Sequence, residues 1–271
     1  MDTLPFEFCD SVIFTIDDFG HLRELVVDLP DHDLWKAAIE DHVSNRREEE
    51  IVFETNNDNL EELKKIKKKY LRISAILWCG GSLSTSHIEL LKFIKKSGQR
   101  SIYTLFLDNL KGNTTSENKE RFAEYLKDVS FCEINLYYPN EALLLHHAQS
   151  KVIRQLILYG NWSKDVQPVV EKILLTNPIE VAHISRSFVF GNDFLEKLFD
   201  VPCLASKTKN FIFNNDIETD FVIRNGFRNF RPKLQIEKTE EKVIWKRDDG
   251  VQVSMELSYD CTYFDFSREI V

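Results

Sequence analysis

Seven short apolar, β-branched or aromatic runs recur along the middle of the chain, and charged amphipathic segments separate them. The runs are residues 51–53, 73–78, 102–107, 132–137, 153–159, 181–184 and 211–213. Measured from Phe53 through Leu77, Leu107, Leu136, Leu158 and Ile184 to Phe213, the steps are about 24, 30, 29, 22, 26 and 29 residues. Runs this short read as buried strands, whereas apolar residues at three- and four-residue steps among charges read as helices. Helical patterns cover residues 59–70, 85–96, 116–127, 140–148, 163–175 and 193–199. Ser84/Thr85, Thr115/Ser116, Ser163 and Asn192/Asp193 stand where N-caps belong. A strand joined to the next strand through a helix runs parallel to it, because the crossover returns the chain to the same end of the sheet. The chain is therefore expected to be α/β.

A β–α unit of this length matches a leucine-rich repeat. Three strands share a local pattern, Leu105-x-Leu107, Ile134-x-Leu136 and Leu156-x-Leu158. The repeat consensus continues into an Asn three residues later. Asn161 supplies it once, while Gly80 and Pro139 stand at the comparable places. The repeats are thus degenerate. A doubly wound sheet would also alternate strands and helices, but regular spacing and short helices favour a curved solenoid over residues 48–215. Residues 216–271 read as a last helix at 217–227 and then strands at 234–237, 242–247 and 251–257. Asp248-Asp249-Gly250 is the tight turn of a β-hairpin expected to cap the open end of the solenoid.

Composition narrows the class. With 43% hydrophobic residues the chain can bury a core. Nine Gly and seven Pro in 271 residues imply short loops. Forty-four acidic against 35 basic residues give a net charge of −9, a poor match to duplex DNA or an anionic membrane surface. Neither nucleic acid nor membrane is an expected partner. Cys9, Cys79, Cys132, Cys203 and Cys261 are widely spaced without a CxxC, which argues against a disulfide framework or a structural zinc. Buried thiols in a reducing compartment are expected instead. The first residues carry no signal-peptide pattern, and no run approaches a membrane span. A cytoplasmic and/or nuclear protein is the expectation.

The first 47 residues have a different texture. Leu4-Pro5 opens a helix whose Phe8, Val12, Ile13 and Ile16 form one apolar stripe. Residues 17–20 are a turn, 21–26 a second short helix, and Asp31-His32-Asp33 caps a third over 34–42. Three such helices carry too little surface for a core of their own. Leu4, Pro5, Phe8, Ile13, Ile16, Asp18, Leu22, Leu25, Leu34 and Trp35 together resemble an F-box, in particular the nematode-expanded F-box families with a repeat-like C-terminal region. The resemblance spans about 45 residues, the rest agreeing in layout only. It implies a three-helix unit that docks on a Skp-type adaptor and through it on a cullin scaffold, as the substrate-recognition subunit of a ubiquitin ligase. Leu4, Pro5, Phe8, Ile13, Ile16, Leu22, Leu25, Leu34 and Trp35 would then be adaptor-binding, and the solenoid would hold a protein substrate.

Residues alternating with the repeated leucines are Ser74, Ile76, Trp78; Thr104, Phe106, Asp108; Glu133, Asn135, Tyr137; and Gln155, Ile157, Tyr159. Trp78, Asp108, Tyr137 and Tyr159 fall at matching places and form the expected substrate-binding set, since amphipathic rings make interface anchors. The plainer alternative is that they face the helices, and a one-residue shift in register would put them there. Gly80-Gly81 lies between a strand and a helix, where a phosphate loop would sit, but it matches no nucleotide or nucleophile motif and reads as a structural turn. His146-His147 point about 100° apart on a helix, so they cannot share a metal and are expected on the surface. The Lys64–69 cluster beside Glu61-Glu62 reads as a solvated helix face, and Glu48-Glu49-Glu50 as a charged turn. No catalytic residue, metal site or cofactor is expected. Two alternatives to the receptor remain: a sequestering protein with a vestigial F-box, and a small α/β enzyme using the Gly80-Gly81 loop.

Overall fold

The computed structural model of the 271-residue chain describes residues 9, 12, 34–53, 59–67, 69–97, 101–108, 114–191, 193, 194, 197 and 198, and strands at 209–213, 235–238, 242–246, 251–258 and 261–268. A helix α1 (Leu34–Asn45) leads into seven strands joined largely by helices: β1 (Arg47–Phe53), α2 (Asn59–Lys65), β2 (Leu71–Trp78), α3 (Thr85–Ser97), β3 (Ser101–Leu107), α4 (Ser116–Leu126), β4 (Ser130–Leu136), α5 (Glu141–His147), β5 (Gln155–Leu158), α6 (Gln167–Thr176), β6 (Val181–Ile184) and β7 (Lys209–Phe213). All six neighbouring pairs are parallel. Through these seven strands, order in the sheet equals order in the chain. A doubly wound sheet reverses its order at a switch point. The parallel part of this sheet does not. Crossovers of one hand stepping in one direction put their helices on one face, which makes the arrangement solenoid-like.

Burial repeats along the strands. Ile73, Ile76 and Trp78; Ile102, Leu105 and Leu107; Phe131, Ile134 and Leu136; Ile153, Leu156 and Leu158; and Ile179, Ala182 and Ile184 are all buried in one continuous core. Two residues separate the first and second of each triplet, and one separates the second and third. That is the leucine-rich-repeat spacing L-x-x-L-x-L with its leading position in place. The helices bury residues at three- and four-residue steps against this face: Leu90, Leu91 and Ile94 on α3, Phe122, Ala123 and Leu126 on α4, Val170, Ile173 and Leu174 on α6. Thr115 Oγ1 accepts from the Asn118 N–H (3.3 Å), Asn140 Oδ1 from the Leu143 N–H (3.2 Å) and Ser84 Oγ from the His87 N–H (3.2 Å). These bonds satisfy amides that a helix start leaves unpaired.

Several sequence expectations need correction. Glu48, Glu49 and Glu50 are not a turn; they belong to β1, which pairs from Arg47 opposite Leu71. The helix expected over 59–70 ends at Lys65. The one expected over 163–175 is a 3-10 turn at Lys164–Val166 followed by α6, with a proline in the first turn of α6. His147 is buried rather than on the surface, while His146 is exposed. Cys79 and Cys132 are half-buried rather than buried, Cys9 is buried, and all three are free thiols.

The C-terminal strands β8 (Gln235–Lys238), β9 (Lys242–Lys246), β10 (Val251–Ser258) and β11 (Cys261–Arg268) pair antiparallel in succession. β9 and β10 flank the turn expected at 248–250. β11 has no counterpart in the sequence reading, and it joins β7 antiparallel. The sheet therefore runs on through β11, β10 and β9 to β8 for 11 strands. Leu4, Pro5, Phe8, Ile13, Ile16, Leu22 and Leu25, Cys203 and the helix expected at 217–227 lie outside the described residues.

A candidate recognition face

The side chains between the buried positions point away from the helices. In register across the sheet they form a row Leu77, Phe106, Asn135, Ile157, His183 and, beside it, a row Ala75, Thr104, Glu133, Gln155, Val181. A third row follows the strand ends. The Asp108 N–H donates to the Trp78 carbonyl (2.9 Å), the Tyr137 N–H to the Leu107 carbonyl (2.8 Å) and the Tyr159 N–H to the Leu136 carbonyl (2.8 Å), so Asp108, Tyr137 and Tyr159 continue the ladder.

Three rings meet there. Tyr137 lies 5.1 Å from Phe106 and 4.9 Å from Tyr159, centroid to centroid. The Tyr159 hydroxyl lies 3.4 Å from His183 Nδ1, within hydrogen-bonding distance. Tyr137 is 42% exposed, and Tyr103, earlier on β3, is 56% exposed. Burial pushes the His183 imidazole below its usual range, which leaves it neutral near pH 7. Burial, then the neighbouring Tyr137, holds the Tyr159 phenol protonated to higher pH. Polar neighbours are fixed in pairs: Thr104 Oγ1 donates to Glu133 Oε2 (2.9 Å), and Gln155 Nε2 donates to Asn135 Oδ1 (3.0 Å). Held polar groups around exposed rings suit the binding of a partner surface.

Of the four expected substrate-binding residues, the structure brings Tyr137 and Tyr159 together and leaves Asp108 half-buried in the same row. Trp78 is a correction. It is 0% exposed, and its ring stacks on Phe122 of α4 at 4.5 Å, on the helix side of the sheet. Register pairs Trp78 with Leu107, so the β2 residue equivalent to Asp108 is Cys79. The sequence reading aligned Leu77 with the buried leucines and slipped β2 by one residue. It also passed over Tyr103 and His183. The L-x-x-L-x-L spacing is the signal that locates both, Tyr103 in its two-residue interval and His183 in its one-residue interval.

Other features have internal partners. Gly80 and Gly81 adopt φ of 84° and 91°, and the Gly81 N–H donates to Thr114 Oγ1 (2.9 Å), which ties the loop to the next repeat. Lys64 and Lys65 pair with Glu61 and Glu62 one turn earlier, as a solvated helix face does. Leu34 is exposed and Trp35 half-buried on α1. Among the described residues no cluster of His, Cys, Asp and Glu is placed to hold a metal ion, and no helix is long and apolar enough to cross a membrane. No family model, curated protein or solved structure matches the chain.

Proposed function

We propose that this chain is a protein-recognition subunit, the substrate receptor of a Skp–cullin–F-box ubiquitin ligase. Its N-terminal helices would hold the adaptor and its open sheet face a protein substrate. The observation that carries the reading is the cluster Phe106, Tyr137 and Tyr159, neighbouring and partly exposed rings on the sheet face turned away from the helices. Apolar rings held open to solvent cost free energy unless a partner covers them. The adaptor half rests on the resemblance of residues 4–35 to an F-box. The unit would bind through Leu4, Pro5, Phe8, Ile13, Ile16, Leu22, Leu25, Leu34 and Trp35. The anchorage of α1 to the first repeat favours this arrangement, since it would hold adaptor and substrate at a set distance from one another.

The test is co-purification and calorimetric titration of the full chain with a Skp-type adaptor. Leu4→Ala combined with Pro5→Ala should weaken binding about ten- to a hundredfold, because each buried apolar anchor contributes roughly 1.5 to 3 kcal/mol. Equal affinity of wild type and double variant would remove the receptor reading.

A further inference from the structure

Resting on the reading of the open sheet face as a recognition surface, we infer that its occupant is an amphipathic helix of a protein partner. The helix lies across the strands, its apolar stripe on the Leu77–Phe106–Ile157 row and lysine or arginine on both flanks. The face is banded along the strand direction. Its central row, Val52, Leu77, Phe106, Asn135 and Ile157, is apolar except at Asn135. Val52, Leu77, Phe106 and Ile157 are half-buried, so each keeps apolar surface for a partner to cover. Asn135 does not break the row, because its Oδ1 already accepts from Gln155 Nε2 (3.0 Å) and the residue is 7% exposed. Tyr137, 5.1 Å from Phe106 and 42% exposed, widens the apolar band. The flanking rows are acidic. Glu50 and Glu133 stand in the row on one side, in register with Ala75 and Thr104, and Asp108 follows the end of β3 on the other. Among the described residues neither flanking row carries Lys or Arg, and the exposed Arg154 stands one residue before Gln155, outside the three rows.

Dimensions select a helix over an extended segment. Glu133 and Tyr137 set the two flanking rows four residues apart along β4, about 13 Å at 3.3 Å per residue. An extended segment lying along the central row turns its side chains only toward the sheet and away from it, so it cannot cover that row and reach both flanks. A helix is about 10 Å across and carries side chains all round. Its apolar stripe rests on the central row while basic residues beside the stripe descend to the carboxylates, their aliphatic stems lying along the apolar band. From Val52 on β1 to Ile157 on β5 the row spans roughly 19 Å, the length of about 13 helical residues. The net charge of −9 draws a cationic helix in by long-range attraction. An acidic helix would set like charges together, and a wholly apolar one would cover the carboxylates without pairing them.

The probe is a fluorescein-labelled peptide of about 16 residues, with leucines at helical spacing and lysines on both sides of them. It is titrated into the full chain alongside three matched peptides: one with central prolines, one with glutamate for lysine, and one with leucine and lysine in strict alternation. The helical basic peptide should bind at least about tenfold tighter than each of the three, gain helical circular dichroism on binding, and lose affinity as salt rises. Phe106→Ala should lose about tenfold. Glu50→Gln with Asp108→Asn should lose several-fold and flatten the salt dependence while thermal unfolding stays unchanged. If Phe106→Ala fails to fold, this carboxamide pair decides. Equal affinity for the helical and proline peptides, tighter binding of the alternating peptide, or an undiminished carboxamide variant overturns the inference. A Skp-type adaptor titrated into the same preparations separates this failure from failure of the receptor reading. Adaptor binding with equal peptide affinities removes the helical occupant and leaves the receptor standing. Selective binding of the helical peptide without adaptor binding does the reverse.

Discussion

The Tyr70 hydroxyl donates a 2.6 Å hydrogen bond to Asp41 Oδ2, joining α1 to the turn that enters β2. Lys69 Nζ reaches the same oxygen at 3.0 Å, and the His42 ring stands edge-on to Tyr70 at 5.6 Å. Burial raises the affinity of Asp41 for its proton, but the bonds from Tyr70 and Lys69 and the Lys69 charge outweigh it and hold the carboxyl below its usual range. Tyr70→Phe should cost about 1 kcal/mol, the net value of one hydrogen bond. Amide exchange should quicken on α1 and stay unchanged on β3 to β5. Because the folded carboxyl is the stronger acid, its contribution is present above the ordinary carboxylate pKa and fades as pH falls through the depressed value. Urea titrations of wild type and Tyr70→Phe should therefore converge in acid.

Trp78 and Tyr137 should respond oppositely to truncation. Trp78 is sealed against Phe122 and approaches Tyr138 edge-on at 6.4 Å. Trp78→Ala should cost about 3–5 kcal/mol through lost burial and the cavity left behind. Thermal unfolding should fall by roughly 6–20 °C, at 2–4 °C per kcal/mol for a chain of this size. Tyr137→Ala should leave unfolding within about 1 kcal/mol of wild type, as exposed substitutions do, and remove partner binding.

His147 predicts an acid sensitivity. It is 3% exposed, lies edge-on to Phe131 at 5.2 Å, and its Nε2 has no hydrogen-bond partner among the described residues. Burial, with a smaller push from His146, lowers its pKa to about 4. The unfolded chain takes up the proton near pH 6.5, before the folded one does, so stability falls as pH drops from about 6.5 to about 4. The shift corresponds to a loss of the order of 3 kcal/mol. Denaturant unfolding of His147→Leu should show a shallower decline over that window, and an equal slope would count against the buried neutral imidazole.

Gly160 closes the fifth repeat. Its φ is 90°, a Cβ there would stand 3.1 Å from Pro139 Cδ, and its carbonyl accepts from the Ser187 hydroxyl at 3.0 Å. Gly160→Ala should therefore destabilise by about 1–2 kcal/mol through backbone strain, with the proline contact adding to it. Gly191→Ala, where nothing lies within 4 Å, is the control and should unfold like wild type.

Most of the repeat architecture was legible in the sequence. β3 begins within a residue of its expected start, α3 and α4 end within one residue of theirs, and Thr115 caps as expected. Those features follow from local periodicity and capping chemistry, which a linear reading captures. The face of β2 did not. Strict alternation anchored on Leu77 put Trp78 on the open side, whereas the register with β3 pairs Trp78, not Leu77, with the buried Leu107. β11 escaped too. Its partners β7 and β10 are chosen by sheet assembly, and no turn motif announces the pairing with β7.

His147 shows the same division. Its helix was legible, but which of two adjacent histidines turns inward depends on where Phe131 and the sheet stand relative to that helix. By itself the sequence determined that strands and helices alternate and where several of the helices begin, and it singled out Tyr137 and Tyr159 while leaving open which face carries them. Only the tertiary structure decided that the seven parallel strands keep chain order, that Trp78 belongs to the core, and that Cys79 takes its place in the row. The physical reason is that side-chain parity in a strand is set by the hydrogen-bond register with its neighbour. That register is a property of two segments about 30 residues apart, and no single segment encodes it.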